Sequence, residues 1–235
     1  MIEIKNVTKK YGDKEAIKDI SFEIKDGEIF GFIGHNGAGK TTMIKSLVGI
    51  LNFDNGDILI NGKSIKEDSI SCKLDMAYVP DNPDLYENMT AIDFINFVCD
   101  MYETDVNIRK ENIEKYSKMF EMENKLNDDI SSFSHGMKQK VALIAALSHN
   151  PKVLIMDEPF VGLDPKAVFD IKSVMKEMTK ERKIIFFSTH ILDVAEKLCD
   201  RVAIIKNGSI IKIGKMKDIK GDSSLEEVFL ELEEK

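Results

Sequence analysis

The amino-acid sequence predicts an α/β fold with a mostly parallel β-sheet that helices cover on both faces. Apolar segments with strand periodicity alternate with helical segments along most of the chain. A glycine-rich turn joins one continuously apolar strand to a helix. Over 235 residues, 43% hydrophobic and 31% charged side chains suffice for a sizeable core and exclude a disordered chain.

The N-terminal part is predicted to be rich in strands. Ile2–Val7 and Ala16–Ile24 alternate between apolar and polar residues, and Glu28–Ile33 is continuously apolar. A helix is predicted from Lys40 to Val48, after the glycine-rich turn. Further short strands are expected at Asp57–Ile60, before an Asn61-Gly62 turn, and at Met76–Val79.

Residues 82–150 interrupt the strands with a predicted helical subdomain. Thr90 and Asp93 have the spacing of a capping box, and Ser134 can cap a later helix. The helices are expected at Ala91–Met101, Asn107–Phe120 and from Ser134 to about Ser148.

Strands and helices alternate again after residue 150. Asp164-Pro165 and Leu192 are predicted to begin helices, and a terminal amphipathic helix is expected from Ser224. The expected strands are Lys152–Met156, Lys183–Ser188 and a hairpin of Arg201–Lys206 with Ser209–Ile213, closed by Asn207-Gly208.

Composition excludes several classes of protein. The net charge of −8 disfavours nucleic-acid binding. No stretch reaches the roughly 18 apolar residues of a membrane span, and the charged N-terminal segment is not that of a signal peptide. Cys72, Cys99 and Cys199 form no CxxC pair, so reduced, buried thiols in the cytosol are expected.

The clearest motif is a phosphate-binding loop. Its residues, which match GxxxxGK[ST] between a strand and a helix, are Gly34, His35, Asn36, Gly37, Ala38, Gly39, Lys40, Thr41 and Thr42. Glycines let backbone N–H groups surround an anion, and the helix N-terminus adds a positive dipole end. Lys40 can reach the β- and γ-phosphates of a nucleotide, and the Thr41 hydroxyl can bind Mg²⁺.

A second candidate site lies at the end of the apolar strand before Asp157 and Glu158. A buried strand does not end in adjacent carboxylates without a cation or a cap to meet them. Asp157 is expected to hold Mg²⁺ through water, as a Walker B aspartate does. Glu158, pointing the other way, is expected to polarise the attacking water as general base.

With these two motifs in this order, the chain resembles the nucleotide-binding subunit of ATP-binding cassette (ABC) transporters over nearly its whole length. The resemblance implies one domain over residues 1–235 that binds ATP and Mg²⁺ and hydrolyses ATP. Its fold would be a P-loop NTPase core with a mostly parallel sheet, an antiparallel β subdomain and the inserted helical subdomain.

The resemblance also assigns ligand-binding roles outside the phosphate loop. Tyr11 lies where the family places an aromatic ring on adenine. Residues 133–139 are similar to the signature loop, which covers the ATP of the opposite subunit. They retain Ser134 and Gly136 but depart from the common LSGGQ form at Phe133, His135 and Met137. Ser134 can also simply cap its own helix.

Further motifs complete the implied site. Residues 162–165 are similar to the D-loop that touches the partner subunit, although Asp164 also suits a helix cap. His190 matches the switch histidine that contacts the γ-phosphate. Asp81 stands where the family has glutamine in its Q-loop, and is expected to contribute to the Mg²⁺ site.

The family's working site implies two kinds of partner. A second cassette, either another copy or a paralogue, would close head-to-tail around two nucleotides. An integral membrane permease subunit would place the chain in the cytoplasm, peripheral at the inner face of the cell membrane. Contacts with the permease are expected around Tyr86–Phe97. The apolar residues there can instead form the core of the insert; they are Leu85, Tyr86, Met89 and Phe94.

The signature variant, Asp81 and the tail Ser224–Leu230 resemble exporter cassettes for drugs, bacteriocins or sodium. Importers usually carry a further C-terminal regulatory region, for which this chain is too short. Two alternatives remain: an ABC ATPase that works on ribosomes or DNA without a membrane partner, and a regulatory cassette that binds ATP without turning it over. Glu158 speaks against the regulatory cassette, whereas His135 and Asp81 leave it open.

Overall fold

The computed structural model describes residues 1–233, which form two β-sheets and surrounding helices. The strands are β1 (Ile2–Tyr11), β2 (Lys14–Ile24), β3 (Ile29–Ile33), β4 (Asn55–Ile60), β5 (Lys63–Ser64), β6 (Met76–Val79), β7 (Val153–Asp157), β8 (Ile184–Thr189), β9 (Arg201–Lys206) and β10 (Ser209–Lys215). The helices are α1 (Lys40–Leu47), α2 (Ser69–Leu74), α3 (Ala91–Met101), α4 (Val106–Met119), α5 (His135–Ser148), α6 (Pro165–Lys180), α7 (Leu192–Leu198), α8 (Met216–Lys220) and α9 (Leu225–Glu233), with 3₁₀ turns at Glu123–Lys125 and Ile130–Ser132.

The larger sheet has six strands in the order β10-β9-β3-β8-β7-β6. All neighbouring pairs are parallel except β10 with β9, which form the predicted hairpin. Every residue of β3, β7 and β8 is buried, as expected for parallel strands covered on both faces. The predicted α/β fold is therefore confirmed.

A four-stranded antiparallel sheet, in the order β2-β1-β4-β5, packs against the larger one. Stacked aromatic rings join the two sheets, with the centroids of Phe22 and Phe30 5.1 Å apart and those of Phe30 and Phe186 5.9 Å apart. Helix α1 buries Met43, Ile44 and Leu47 in the same core. The start of α1, and with it the glycine-rich turn, is thus held by packing from both sheets.

Strands β1 and β2 extend further than the alternation of their sequences predicts. Asn6 and Asp19 both have left-handed backbone angles, with φ of 50°, and interrupt the pairing register. Their side chains join across the strands by a 2.9 Å hydrogen bond from Asn6 Nδ2 to Asp19 Oδ1. Such bulges break the period of two, so the apolar pattern stops before the strand does.

The helical segment contains α3, α4 and α5, as predicted, with ends shifted by one residue or so. Thr90 Oγ1 accepts from the Asp93 N–H at 3.2 Å, and Ser134 Oγ accepts from the Met137 N–H at 3.3 Å. Helix α5 is buried over most of its length because it packs on α3, α4 and β6. It therefore connects the helical segment to the edge of the larger sheet.

Short elements were not expected from the sequence. Helices α2 and α8 and strand β5 are too short to show a periodic pattern. The three cysteines are buried, as predicted. Among the described residues, we find no helix with the length and apolar character needed to cross a bilayer.

Acid is expected to destabilise the fold through His149. Its ring stacks on Tyr102 with centroids 3.7 Å apart, and burial lowers its pKa to about 4. The unfolded chain takes up this proton near pH 6.5, so the contribution is constant above that pH and falls between pH 6.5 and 4. Between pH 6.5 and 4, the free energy of unfolding should fall by about 1–3 kcal/mol less in His149→Phe than in the unmodified chain. The measurement is the pH dependence of the free energy of unfolding. An identical pH dependence in both proteins would contradict the assignment.

Candidate active site

The phosphate loop follows β3 and leads into α1, between β2 and β9. A Cβ atom on Gly34 would lie 2.5 Å from the Ile205 carbonyl oxygen, and one on Gly39 would lie 2.5 Å from that of Ala16. Gly39 also has a φ of 113°, which side chains rarely adopt. The loop approaches its neighbours this closely because these two positions carry no side chain.

Lys40 turns back into the loop that precedes it. Its Nζ donates to the carbonyl oxygens of Gly34 at 2.6 Å and His35 at 3.2 Å. The side chain is only 6% exposed and lies 3.2 Å from Glu158 Oε1. The lysine charge is therefore held inside the loop, facing the end of β7.

The carboxylates of Asp157 and Glu158, at the end of β7, have different hydrogen-bond partners. Asp157 is buried and accepts a hydrogen bond from the Ser188 hydroxyl. The Glu158 N–H donates to Ser188 Oγ at 3.1 Å, and the residue adopts a φ of 48°. The Glu158 carboxylate lies 3.2 Å from Lys40 Nζ.

The Glu158 carboxylate lies between a lysine and a histidine. Its Oε2 accepts from the His190 N–H at 3.2 Å and lies 2.9 Å from the His190 Nδ1 atom. Its Oε1 has the close approach to Lys40 but no hydrogen bond of acceptable geometry among the described residues. The buried Oε1 atom of this carboxylate thus keeps free acceptor capacity at the phosphate loop.

An open cleft of about 850 Å³ connects these groups. The predicted site residues that line it are Tyr11, His35, Asn36, Gly37, Gly39, Lys40, Thr41, Thr42, Asp81 and Glu158. Gly34, Ala38 and Asp157 are buried beneath it, and His190 joins it through Glu158. The Tyr11 ring is 51% exposed at the cleft, beside the Lys9 ammonium.

Asp81 adds a further acidic group to the cleft. Burial raises its pKa, and the negative charges of Asp157 and Glu158 raise it further, whereas His135 and His190 oppose the shift. The carboxylates therefore repel one another, which favours a bound cation. Among the described residues, no group of three or more His, Cys, Asp and Glu side chains forms a metal site by itself.

Ser134 and Gly136 do not line the cleft. Gly136 lies against the D-loop, where an added Cβ would be 3.0 Å from the Gly162 carbonyl oxygen. The His135 ring covers Gly162, and Lys140 pairs with Asp164 at 2.8 Å. Asp164 also caps α6 by accepting from the Ala167 N–H at 2.8 Å, so its helix-capping role is present. The signature loop and the D-loop thus form one packed unit apart from the phosphate loop.

Known proteins provide a direct comparison for this arrangement. The family model described as ABC transporter matches residues 17–161. The chain belongs to the ABC transporter family of ATP-binding proteins. It is 37% identical to the ABC transporter ATP-binding protein YhcH of Bacillus subtilis (strain 168), over 93% of this chain and 71% of YhcH. Membership in this family makes the chain an ATPase.

Solved ABC structures share its architecture. One, described as the ATP-binding subunit of an ABC transporter, superposes with a TM-score of 0.96 at 33% identity and covers 99% of both chains. The cassette MJ0796, solved as a dimer in a post-hydrolysis state with ADP and Pi, superposes with a TM-score of 0.83 at 26% identity. That comparison covers 92% of this chain and 99% of MJ0796.

Two named relatives carry different functional descriptions. The linearmycin resistance protein LnrL of Bacillus subtilis (strain 168) is 35% identical, over 93% of this chain and 70% of LnrL. The methionine import protein MetN of Clostridioides difficile (strain 630) is 33% identical over the same shares.

Ser188 is a contributor to this ABC site that the sequence analysis missed. It braces both carboxylate residues, donating to Asp157 and accepting from the Glu158 N–H. The sequence offers one indication of this role: Ser188 is a hydroxyl residue directly after the apolar run Ile184–Phe187. Its importance appears only because β7 and β8 are neighbours and pair Asp157 with Ser188.

Two glycines of the phosphate loop provide a matched test of its packing. Gly37 and Gly39 both have positive φ, but a Cβ on Gly37 would meet nothing within 4 Å. We expect Gly37→Ala to cost about 1–2 kcal/mol of unfolding free energy for backbone strain alone. Gly39→Ala adds the clash with Ala16 and should cost clearly more. Denaturant unfolding without nucleotide measures both, and equal losses would show that the clash does not constrain the loop.

Proposed function

We propose that the chain is the ATP-hydrolysing subunit of an ABC transporter and drives a separate membrane permease by ATP-dependent pairing with a second cassette. The observation that carries this proposal is the placement of the Glu158 carboxylate between Lys40 and His190 at the phosphate loop. That arrangement combines an anion-binding loop with a general base, as hydrolysis of a nucleotide requires.

ATP would bind to the phosphate loop and to the residues that line the cleft. The backbone N–H groups of the loop and the Lys40 ammonium would hold the β- and γ-phosphates. Thr42 and the other loop residues that line the cleft would surround the phosphate chain. Tyr11, exposed at the cleft, would stack on the adenine ring, because an aromatic face suits any purine.

The donors present suit Mg²⁺, which prefers oxygen ligands and keeps several waters. Thr41 supplies a hydroxyl, Asp157 a buried carboxylate and Asp81 a carboxylate whose pKa is raised by burial and then by the negative charges of Asp157 and Glu158. When bound, the ion would neutralise phosphate charge. Ser188 would hold the Asp157 carboxylate in its orientation through their hydrogen bond.

Glu158 would act as general base on the attacking water. Its free Oε1 acceptor is aimed at the phosphate loop, and its Oε2 is held by His190. Once phosphates engage the Lys40 ammonium, the carboxylate loses a competing partner and can take the proton. The Lys40 ammonium and the His190 ring would stabilise charge on the transferred phosphoryl group.

Ser134 and Gly136 require a second subunit to reach a nucleotide. They begin α5 and lie apart from the cleft of their own chain. A partner's phosphate loop placed against this helix N-terminus would receive its dipole and the Ser134 hydroxyl. The dimer of MJ0796 with ADP and Pi supports such pairing. Pairing with another copy or with a paralogous cassette both fit.

An aromatic surface on the helical subdomain, residues 82–150, would receive the permease. Tyr86 is exposed and makes edge contacts with Phe94 at 6.2 Å and Phe97 at 5.7 Å. Leu85, by contrast, is buried in the core. Of the apolar residues considered for contact with the permease, Leu85 therefore belongs to the core of the insert, whereas Tyr86 is available at the surface. A chain docked on a permease in this way would be peripheral at the inner, cytoplasmic face of the cell membrane.

Export is the direction that we propose. The similarity to LnrL supports it, as do His135, Asp81 and the terminal helix α9 that the sequence shares with exporter cassettes. The similarity to MetN favours import instead. A transport assay in vesicles that contain the membrane permease subunit with which the chain assembles would decide between them.

Replacing the general base gives the decisive test of the proposed function. We expect Glu158→Gln to bind ATP, to reach twice the monomer mass with Mg²⁺-ATP by light scattering, and to hydrolyse ATP at least about 100-fold more slowly. Asp84→Ala, outside the cleft, should retain turnover.

The outcomes separate the alternatives. No turnover in the unmodified chain, with ATP binding and dimerisation intact, would indicate a regulatory cassette. ATP binding without dimerisation would require a different cassette or the permease, and no ATP binding at all would refute the proposal.

Asp81 has its own test as a contributor to the Mg²⁺ site. If its carboxylate helps to hold the ion, Asp81→Ala should raise the Mg²⁺ concentration for half-maximal hydrolysis about three- to tenfold. Asp84→Ala lies three residues away and removes the same charge, so it controls for local electrostatics. An unchanged Mg²⁺ dependence in Asp81→Ala, with the same result for Asp84→Ala, would remove Asp81 from the metal site.

A further inference from the structure

The phosphate loop has a side-chain contact with the C-terminal helix. The His35 side chain is 61% exposed, and its ring meets Phe229 of α9 edge-on with centroids 4.9 Å apart. Its Nε2 atom lies 3.4 Å from Glu233 Oε2, on the same helix. Phe229 and Glu233 are one helical turn apart, so one face of α9 holds the imidazole.

Helix α9 is firmly attached to the rest of the fold. Leu225, Val228 and Phe229 are buried in the main core. Ser224 and Glu227 form a capping box at its start, with hydrogen bonds of 2.8 Å and 3.1 Å. Because the helix is anchored by this packing, its contact with His35 restrains the loop rather than the reverse.

The end of α9 is fixed as well, next to the phosphate loop. Lys206 Nζ donates to the carbonyl oxygens of Leu232 at 3.1 Å and Glu233 at 2.8 Å, which places a cation at the helix C-terminus. Glu233 and Lys206 line a small cavity of about 140 Å³ together with His35. Within the described residues, Glu233 Oε1 is buried and has no hydrogen-bond partner, while Oε2 is the oxygen that lies near His35 Nε2.

The restraint on His35 reaches the lysine of the site through the backbone. The His35 carbonyl oxygen accepts from Lys40 Nζ at 3.2 Å and from the Ala38 N–H at 3.1 Å. A shift of His35 therefore moves an acceptor that orients the Lys40 ammonium. The same carbonyl closes the turn of the phosphate loop.

We propose that α9 is a positioning element of the nucleotide site, in which Phe229 and Glu233 fix the phosphate loop through the imidazole of His35. This inference rests on the proposed function only in that the loop is taken to bind nucleotide. Phe229 and Glu233 do not line the cleft, so they act through His35 and not by contact with the nucleotide.

The test compares two charge-neutralising variants of the same helix. Glu233 faces His35, whereas Glu231 is exposed, and both substitutions to glutamine remove one negative charge. We expect Glu233→Gln to weaken ADP binding about three- to tenfold by calorimetry, because His35 loses a polar partner that orients its ring. Glu231→Gln should bind ADP as the unmodified chain does. ADP is used because it engages the loop without turnover.

A double-mutant cycle tests whether Phe229 and Glu233 act on ADP binding through His35. Phe229→Leu keeps an apolar side chain in the core but removes the ring edge, and should also weaken ADP binding. In a His35→Asn background, both Glu233→Gln and Phe229→Leu should lose their effect, since the group through which they act is gone. A purely structural role of α9 would leave the effects additive and would overturn the inference.

Amide hydrogen exchange over residues 34–41 provides a readout that needs no nucleotide. Faster exchange in Glu233→Gln, with exchange in β7 unchanged, is the expected result. Unchanged exchange and unchanged ADP affinity in Glu233→Gln would refute the positioning role, even if Phe229→Leu fails to fold. If the unmodified chain binds no ADP, the proposed function fails instead, and the exchange experiment still decides about α9.

Discussion

The whole site depends on three parallel strands that end at the same edge of one sheet. β3, β8 and β7 are adjacent, and their register pairs Ile33 with Thr189 and Asp157 with Ser188. The phosphate loop, His190 and the acidic pair therefore emerge side by side, which is how ligand sites form at the carboxyl ends of parallel strands. The remaining helices and the second sheet hold these ends in place.

Burial of charge at this edge is made possible by specific partners. Lys40 and Asp157 are almost fully buried, and each is satisfied by groups on the neighbouring strand or loop. Glu158 is the exception, because one of its oxygens approaches Lys40 without a proper hydrogen bond. Hydrogen bonds to the other polar groups hold the site in one arrangement, while the Glu158 oxygen without a hydrogen bond can still accept one from a ligand.

Helix α5 connects the surfaces that the proposed mechanism has to couple. Its first turns contact the D-loop through Lys140 and Asp164, and Gln139 Nε2 donates to the Pro80 carbonyl oxygen at 3.4 Å. Lys138 pairs with Glu87, next to the exposed Tyr86. A displacement of the aromatic surface would thus be transmitted to the N-terminus of α5, which would face a partner cassette in the proposed dimer. A separate contact joins α9 to the phosphate loop through His35.

The sequence by itself determined the features that depend on contiguous residues. The phosphate loop, the acidic end of β7 and the caps at Thr90 and Ser134 are local patterns of backbone geometry and spacing, so they were predictable. Periodicity likewise indicated the long helices and the buried strands. It missed α2 and α8, which are shorter than the patterns that reveal helices.

Only the tertiary structure decided which distant residues meet. Ser188 braces Asp157 because two strands pair, and Leu85 is buried in the core while neighbouring Tyr86 is exposed, with its ring against Phe94 and Phe97 of α3. The contact of His35 with α9 joins residues almost 200 positions apart. Such contacts follow from how the layers of the fold pack on one another. Neither composition nor local spacing predicts them, because each residue suits its own helix, strand or loop whichever distant residue it contacts.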